Sequence, residues 1–301
     1  MPSRRLPLPN PWLTTTVLVW GFNFVAVKVL YQQMTPAALS LVRFVPMYLL
    51  LLLFCRVRGE SLKYTRDSLP VLIQGFLSMG IYMVLFLEGM NRTSPAEGAI
   101  ILASAPIFVA IFSVMAKQER FTPGAVIGAV VAFIGTAIVI AAGAQSSGGS
   151  MVGNLLILSS AIVWAYSAVL SKPLVNRYSP VQSLTLSMPA ALLVLIPYGL
   201  VATIQTPWKD FTPTTWGMLT HVVFGAGVLG FVGFYEGVKA QGPAAAMMYQ
   251  FFVPIVAAIF GYWILGQHLT GLQLFGLAVV IAGVSIASRA RYLATLRLAS
   301  T

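Results

Sequence analysis

The chain has few charged residues, and acidic ones are the scarcest. Of its 301 residues 8% are charged and 58% are hydrophobic, whereas soluble domains are about 25% charged. Lysine and arginine total 18 against seven acidic residues, which gives a net charge of +11. Such a composition excludes an ordinary soluble domain and predicts that lipid is the main solvent. The basic residues lie between apolar runs, not in one patch, so we expect no nucleic-acid partner.

Cysteine and histidine are also nearly missing. Cys55 is the only cysteine, so an internal disulfide or thiolate cluster is impossible. His221 and His268 stand apart from each other, and no HExxH or paired-aspartate motif occurs, which argues against an intramembrane metal hydrolase. The sequence also has no nucleotide-binding loop and no ring of like charges typical of a channel. We therefore predict neither an enzyme nor a channel, and no cofactor.

Long apolar runs dominate what is present. A helix that spans a membrane needs about 20 mostly apolar residues. Ten runs meet this length: 11–31, 37–55, 70–90, 96–116, 124–143, 153–172, 180–203, 214–238, 244–265 and 271–288. Most loops between them are short, which favours antiparallel neighbours. We expect an all-α integral membrane protein with ten transmembrane helices.

The basic residues are distributed unequally between alternate loops. If the N-terminus is cytoplasmic, the opposite side of the membrane receives only Arg92 and Lys209, while Lys28 and Arg43 lie within spans. All other lysines and arginines then fall on the cytoplasmic side, as the positive-inside rule requires. The sequence predicts a multi-pass protein of the bacterial inner (plasma) membrane with both termini in the cytoplasm.

The two halves of the chain resemble each other. The phrase "FLEGMNRTSPAEG" at 86–98 returns as "FYEGVKAQGPAAA" at 234–246, an offset of 148 residues. At an offset of 144, Trp20 matches Trp164 and Lys28 matches Lys172. Each half holds five spans, and because five is odd the second half enters the membrane from the opposite side. We predict two inverted-topology five-helix repeats around a central cavity, a plan of secondary transporters. The repeats occupy 1–143 and 153–301, the second with a basic cytoplasmic tail, and 144–152 is a flexible linker.

Ionisable side chains inside spans are rare and usually functional. We expect Lys28 with Glu88 to close one mouth of the cavity, and their repeat mates Lys172 and Glu236 to close the other. Snorkelling of the same side chains to the lipid headgroups is the alternative. Arg43 lies deep in the second span without an acidic partner there. It should therefore contact a glutamate, a backbone carbonyl or a substrate carboxylate.

The middle of the spans is neutral and amphipathic. No aspartate or glutamate lies there, which argues against carboxylate-driven proton antiport and against a strongly cationic substrate. Aromatic and amide side chains would bind a neutral or zwitterionic metabolite by stacking and hydrogen bonding, although core packing is the alternative for each. The candidates are Trp20, Asn23, Ser78, Met79, Tyr82, Phe86, Trp164, Tyr166, Tyr249 and Gln250. Pro106 and Pro254 are repeat-matched kinks that could serve as hinges or as static bends.

Several stretches resemble a known superfamily. They are "WGFNFVAVK" at 20–28, "RF" at 43–44, "KQERFTPGAVIGAVVAFIGT" ending at 136, and its echo "LGQHLTGLQLFGLAVVIAG" ending at 283. They are similar to the drug/metabolite transporter superfamily, specifically to its ten-helix members with two EamA-type domains and to the YddG-like aromatic and neutral amino-acid exporters. That resemblance implies export or exchange of metabolites, often amino acids, through a central cavity. The family's Gly-Glu pair before the last span reads Gly266-Gln267 here, and the acid is present only as Glu119.

We therefore predict a carrier that exports or exchanges small neutral metabolites, amino acids including aromatic ones first, by alternating access. The alternative on the same fold is an exporter of drugs or toxic compounds. The partners are a small-molecule substrate and the lipid bilayer. Glycines on spans 5 and 10 permit close helix packing, either within a monomer, which we expect, or across a homodimer. These glycines are Gly124, Gly128, Gly135, Gly271, Gly276 and Gly283.

Overall fold

The computed structural model describes residues 10–65, 68–118, 123–145, 150–242, 246–247 and 249–299. Glu119 and residues 146–149 of the predicted linker lie outside that part of the chain. The described part forms ten apolar helical segments. They are α1 Pro11–Leu30, α2 Pro36–Val57, α3 Leu69–Asn91, α4 Pro95–Met115, α5 Pro123–Gln145, α6 Met151–Arg177, α7 Pro180–Ile204, α8 Pro213–Gln241, α9 Gln250–Leu265 and α10 Gly271–Ala299.

Length and composition separate these segments into two sets. Seven helices are long and apolar enough to cross a membrane, and they are α1 to α4 and α6 to α8. The other three contain shorter apolar stretches, at Val126–Val139, Gln250–Leu265 and Gly271–Ala287. Each of the ten predicted spans thus coincides with one helical segment. The all-α membrane fold expected from the sequence is confirmed.

Four helices begin with the same short signal. A serine or threonine oxygen accepts a hydrogen bond from a backbone N–H of the first turn, and proline occupies the first helical position. Both features favour a helix start. The cap accepts a hydrogen bond from an N–H that has no partner within the helix, and the ring of proline already fixes φ near the helical value. The pairs are Thr35-Pro36, Ser94-Pro95, Ser179-Pro180 and Thr212-Pro213.

The two repeats exchange their packing partners. Helix α1 packs on α8 and α9 of the second repeat, and its repeat mate α6 packs on α3 and α4 of the first. The remaining helices pair directly with their own mates, α2 with α7 and α5 with α10. The centre of the bundle is therefore built from both halves of the chain. This places α1, α3, α4, α6, α8 and α9 around one axis.

The glycine faces of α5 and α10 contact each other within one chain. A Cβ added at Gly135 would lie 2.7 Å from the amide nitrogen of Val280 and 2.8 Å from the carbonyl oxygen of Gly276. A Cβ at Gly128 would overlap the backbone of Gly283. The close packing expected at these faces is thus internal. Gly271 is the exception, because a Cβ added there meets nothing within 4 Å.

Four helices are irregular at the level of the cavity. Helix α3 contains a π segment at Phe76–Ile81 and α8 contains one at His221–Leu229, and the 148-residue repeat superimposes their positions. Helix α4 is interrupted at residues 103–104, and α9 opens with a 3-10 turn at Gln250–Phe252. Both interruptions precede a proline, which lacks the N–H for a helical bond. The backbone is least regular where the repeats meet.

Candidate functional site

A cavity lies at the centre of the bundle, between α1 to α4, α6, α8 and α9. Its volume is about 40 Å³, which is room for a few water molecules only. Binding of a metabolite there therefore requires the lining residues to rearrange. The lining residues are Trp20, Asn23, Phe24, Arg43, Tyr82, Met83, Phe86, Ala99, Leu102, Ala103, Trp164, Phe231, Gln250 and Val253.

An aromatic cluster forms one wall of the cavity. Trp20 and Trp164, which are repeat mates, meet edge to face with ring centroids 5.8 Å apart. The ring of Phe231 lies 5.4 Å from Trp20 and 6.0 Å from Trp164. Tyr82 is 5.2 Å from Trp164. Offset and edge-to-face pairs are favourable for aromatic rings, so the cluster offers an ordered surface for an apolar or aromatic group.

The π segment of α8 fixes the ring of Trp20. The indole Nε1 donates a hydrogen bond to the carbonyl oxygen of Ala226, at 2.9 Å, inside the π segment. Gly230 follows one turn later, and a Cβ at that position would overlap the indole ring. Single π turns within α-helices are rare and frequently occur at functional sites. Here the π turn anchors an aromatic side chain of the cavity.

Three buried polar side chains of the cavity have atoms without hydrogen-bond partners in the described chain. These atoms are Oδ1 of Asn23, Nε of Arg43 and Nε2 of Gln250. Buried polar atoms are normally paired, because an unpaired one costs free energy. The unpaired buried atoms among the lining residues are thus one acceptor and two donors, and one of the donors belongs to a cation.

Among the described residues, Arg43 contacts neither of the two protein groups expected as its partners, which leaves a substrate carboxylate as the prediction. Its side chain is only 2% exposed, and its guanidinium lies 5.5 Å from the centre of the Phe44 ring. Its one hydrogen bond in the described chain runs from Nη1 to Sδ of Met83, at 3.9 Å. Neither a glutamate nor a backbone carbonyl of that part of the chain pairs with it. Arg43 is thus a lining residue of the cavity and not part of a mouth.

The structure brings six of the ten predicted binding residues to the cavity. They are Trp20, Asn23, Tyr82, Phe86, Trp164 and Gln250. Four others lie elsewhere. Ser78 accepts a hydrogen bond from Gln74 within α3 at 3.0 Å, and Met79 is fully buried in the hydrophobic core. The hydroxyl of Tyr249 accepts one from the backbone N–H of Asn10 at 2.9 Å.

Tyr166 is the fourth residue that does not line the cavity. It is 45% exposed, and its ring contacts Phe112 at 5.4 Å. Trp164 and Tyr166 are two residues apart on one helix, so they point about 200° from each other. Since Trp164 faces the cavity, Tyr166 faces away from it.

Sequence reasoning also missed several lining residues. Met83 and Phe231 are repeat mates at the 148-residue offset. Identification of either one as a lining residue would therefore have identified the other. The others are apolar and carry no signal that distinguishes them from core residues. They are Phe24, Ala99, Leu102, Ala103 and Val253.

The first predicted ion pair is not formed. Nζ of Lys28 donates to the carbonyl oxygen of Asn91 at 3.4 Å. Glu88 instead pairs with Arg92, which directly follows the last residue of α3. It also accepts a hydrogen bond from the hydroxyl of Tyr198 on α7. Residues four apart on a helix are neighbours, so Arg92 reaches the carboxylate first. This end of the bundle is called the Lys28 end below.

A buried polar chain also joins the two repeats at the Lys28 end. The amide nitrogen of Asn154 donates to Oε1 of Glu97 at 2.6 Å, and the hydroxyl of Thr93 donates to Oδ1 of Asn154 at 2.7 Å. All three residues are fully buried. The contact ties α4 and the end of α3 to α6, so it contributes to closing this end.

The second predicted ion pair is likewise not formed. Lys172 and Glu236 are both half-buried, and no ion pair in the described chain joins them. At their end of the bundle, called the Lys172 end below, Gln74 of α3 donates a hydrogen bond to the hydroxyl of Tyr235 on α8. A neutral pair therefore bridges the helices there. The gating roles of the four charged residues remain predictions.

The glycine of each "EG" phrase allows a close helix contact. A Cβ added at Gly89 of α3 would lie 2.8 Å from Cδ1 of Ile157 on α6. A Cβ added at its repeat mate Gly237 of α8 would overlap the side chain of Leu13 on α1. Leu13 and Ile157 are themselves mates at the 144-residue offset. The same contact thus occurs at the Lys28 end and at the Lys172 end.

The predicted hinge prolines lie in the second half of each irregular helix. Pro106 is in the first turn of the segment Ala105–Met115, and Pro254 is in the first turn of Val253–Leu265. Each stands directly after an interruption that contributes lining residues. Whether the helices bend there remains a prediction.

Comparison with known families identifies the chain. The model of the EamA-like transporter family matches residues 9–141 and, a second time, residues 151–289. The chain belongs to the EamA-like transporter family. As an EamA-like protein with these helices, it is a multi-pass membrane protein.

Similar EamA-like chains carry transporter names. A probable terminal-alkyne amino-acid exporter of Streptantibioticus cattleyicolor is 27% identical over 96% of each chain. A probable amino-acid metabolite efflux pump of Salmonella typhimurium is 26% identical over 90% of this chain and 91% of its own. An uncharacterized inner membrane transporter, YedA of Escherichia coli, is 25% identical over 92% and 89%.

A solved structure has the same fold. One crystal structure superimposes with a TM-score of 0.68 over 94% of this chain and 98% of its own, at 18% sequence identity. At that identity the likeness concerns the fold alone. It agrees with the ten-helix arrangement described above.

Proposed function

We propose that this EamA-like transporter exports or exchanges small neutral metabolites, with amino acids, including aromatic ones, as the first choice. Transport proceeds by alternating access of the central cavity to the two ends of the bundle. The driving force is the substrate gradient, without a proton-coupling carboxylate in the cavity. The protein resides in the bacterial inner membrane with both termini in the cytoplasm, as the distribution of basic loops indicates.

One observation carries the proposal. The cavity lies where two inverted repeats meet, and its wall combines edge-to-face aromatic rings with amide and guanidinium atoms that are unpaired in the described chain. Substrate sites of inverted-repeat transporters lie at this position, and few polar groups in an apolar wall are typical of small-molecule sites. The names of two relatives, an amino-acid exporter and an amino-acid metabolite efflux pump, support the same substrate class.

The test is counterflow in liposomes. Purified protein is reconstituted into vesicles loaded with unlabelled L-phenylalanine, and uptake of labelled L-phenylalanine is measured with and without an imposed pH gradient. We expect saturable exchange that the pH gradient leaves unchanged. Accumulation driven by the gradient would contradict the uncoupled mechanism. Absence of exchange for phenylalanine and for the other neutral amino acids would contradict the substrate class.

A pair of tryptophan variants links the exchange to the cavity. Trp164→Ala removes a ring of the cavity wall, whereas Trp263→Ala removes a ring that is 72% exposed on the outside of α9. We expect Trp164→Ala to lower exchange about tenfold or more, since stacking and area burial of a large ring are lost. Trp263→Ala should retain it. Equal losses in both variants would indicate that the cavity is not the transport site.

A further inference from the structure

We propose that the cavity recognises its substrate by a carboxylate, which Arg43 binds, and that an amino group on the substrate is dispensable. The inference rests on the proposed function in that it takes the central cavity as the transport site. It changes the expected substrate class, however. Apolar and aromatic monocarboxylates, with or without an amino group, become the compounds that the site selects.

Arg43 is a buried cation without a counter-charge in the described chain. A guanidinium keeps its proton in proteins and offers five N–H donors. Its hydrogen bond within the described chain runs from Nη1 to the thioether sulfur of Met83, a weak acceptor. A charge in the interior of a membrane protein is costly unless it is paired. An anion that enters the cavity would supply the missing pair, and the guanidinium fork matches a carboxylate in geometry.

The surroundings of Arg43 favour a single negative charge on an apolar body. Lys28 and Lys172 lie toward the ends of the bundle and do not line the cavity. Most of the wall around the guanidinium is aromatic or aliphatic, with Tyr82, Phe86 and Trp164 among the rings. A phosphate or a dicarboxylate would bring a second charge that meets no cation there. A monocarboxylate with a hydrophobic substituent satisfies both the cation and the wall.

The partners available to an amino group are weaker. No acidic residue of the described chain lines the cavity. The acceptors that the described lining offers an ammonium are neutral, as Oδ1 of Asn23 is, whereas a carboxylate can use the cation of Arg43 and the amide donor Nε2 of Gln250. Hydrogen bonds with one ionised partner are roughly twice as strong as neutral ones, and only the carboxylate, on Arg43, gains a partner of opposite charge. Loss of the carboxylate should therefore weaken binding far more than loss of the amino group.

Four ligands with the same phenyl group separate these contributions. They are 3-phenylpropionate (carboxylate only), L-phenylalanine (both groups), L-phenylalaninamide and phenethylamine (amino group only). Binding to the intact protein in detergent at pH 7 is measured by isothermal titration calorimetry, so passive permeation of a weak acid plays no part. We expect 3-phenylpropionate to bind within about tenfold of L-phenylalanine, and both amines to bind at least about tenfold more weakly than 3-phenylpropionate.

Variants of Arg43 locate the effect. Arg43→Gln should weaken 3-phenylpropionate about tenfold to a hundredfold and should not weaken phenethylamine, whose ammonium the guanidinium repels. Arg43→Lys keeps the charge and should lose less. Arg58→Gln, on an arginine side chain that is 57% exposed, is the matched control and should bind all four ligands like the wild type. Equal losses of both ligand types in Arg43→Gln would assign Arg43 a structural role and overturn the inference.

The wild-type series decides the question even if the Arg43 variants do not fold. Binding of phenethylamine as tight as that of 3-phenylpropionate overturns the inference while leaving amino-acid transport possible. Binding of 3-phenylpropionate together with absence of phenylalanine exchange supports the inference and contradicts the proposed amino-acid substrate. Absence of 3-phenylpropionate binding overturns the inference whatever phenylalanine does.

Discussion

Two tryptophans that the repeat makes equivalent have different surroundings in the cavity. The indole of Trp20 donates a hydrogen bond to Ala226 in the π segment of α8, and Gly230 leaves room for the ring. Trp164 is held by ring contacts with Trp20, Tyr82 and Phe234. A symmetric sequence signal has thus led to an asymmetric pair. The difference gives a test of what the π segment contributes.

Replacement of each tryptophan by phenylalanine should reveal this difference. Trp20→Phe and Trp164→Phe remove similar ring area, but only the first removes the hydrogen bond to Ala226. We expect Trp20→Phe to lower the free energy of unfolding by about 1 kcal/mol more than Trp164→Phe, the net contribution of a typical hydrogen bond. Unfolding by SDS in mixed micelles, followed by circular dichroism, measures both. Equal losses would mean that the bond to the π segment contributes nothing measurable.

Single residues also show which parts of the cavity can be predicted from the sequence. Charge and rarity identified Arg43 as important, but its place in the cavity depends on how α2 packs against α3, which no local pattern reveals. Tyr166 was predicted to line the cavity because it is aromatic and close to Trp164 in sequence. Helix geometry alone separates two residues two positions apart, so this error was avoidable. The apolar lining residues Leu102 and Val253 were not predictable, since core residues look the same.

At the scale of elements, the length of the apolar runs predicted the helices well. The changes of hydrogen-bond register within the helices were not predicted. Each of the ten apolar runs forms a helix, because a helix pairs all backbone N–H and C=O groups within one segment where lipid offers no hydrogen bonds. The π segments Phe76–Ile81 and His221–Leu229 were not foreseen. A π turn inserts one residue into the helix, and partners on other helices stabilise it, as Trp20 does for α8. Such partners become visible only once the helices are packed.

The pairing of α5 with α10 gives a prediction at the same scale. Gly128→Leu places a side chain where the backbone of Gly283 already lies, so the helices must separate. We expect the free energy of unfolding in mixed micelles to fall by about 1–3 kcal/mol, the usual cost of overpacking. Gly217→Ala on α8 is the control, because a Cβ there meets nothing within 4 Å. A Gly128→Leu variant as stable as this control would contradict the glycine-mediated packing.

At the scale of the whole molecule, the exchange of packing partners explains how one duplicated phrase can serve two ends. Gly89 sets the contact of α3 with α6 at the Lys28 end, and Gly237 sets the contact of α8 with α1 at the Lys172 end. Both contacts are made in this structure, and the cavity between them is small. The ion pairs expected at the mouths are not formed in the described chain, whereas these close helix contacts are. Alternating access then requires one contact to open while the other stays closed.

This symmetry predicts opposite effects of one substitution at the two glycines. Gly89→Val should hold the Lys28 end open and Gly237→Val the Lys172 end, because each added side chain overlaps the facing helix. A reporter cysteine at Ala103 in the cavity, with Cys55 replaced by serine, is labelled by a membrane-impermeant thiol reagent. If the Lys28 end faces outward, as the basic loops indicate, Gly89→Val raises labelling in intact cells and Gly237→Val raises it in inside-out vesicles. Both variants should exchange substrate more slowly, since neither can close both ends in turn. Increased labelling from the same side in both variants would show that the two contacts are not equivalent gates.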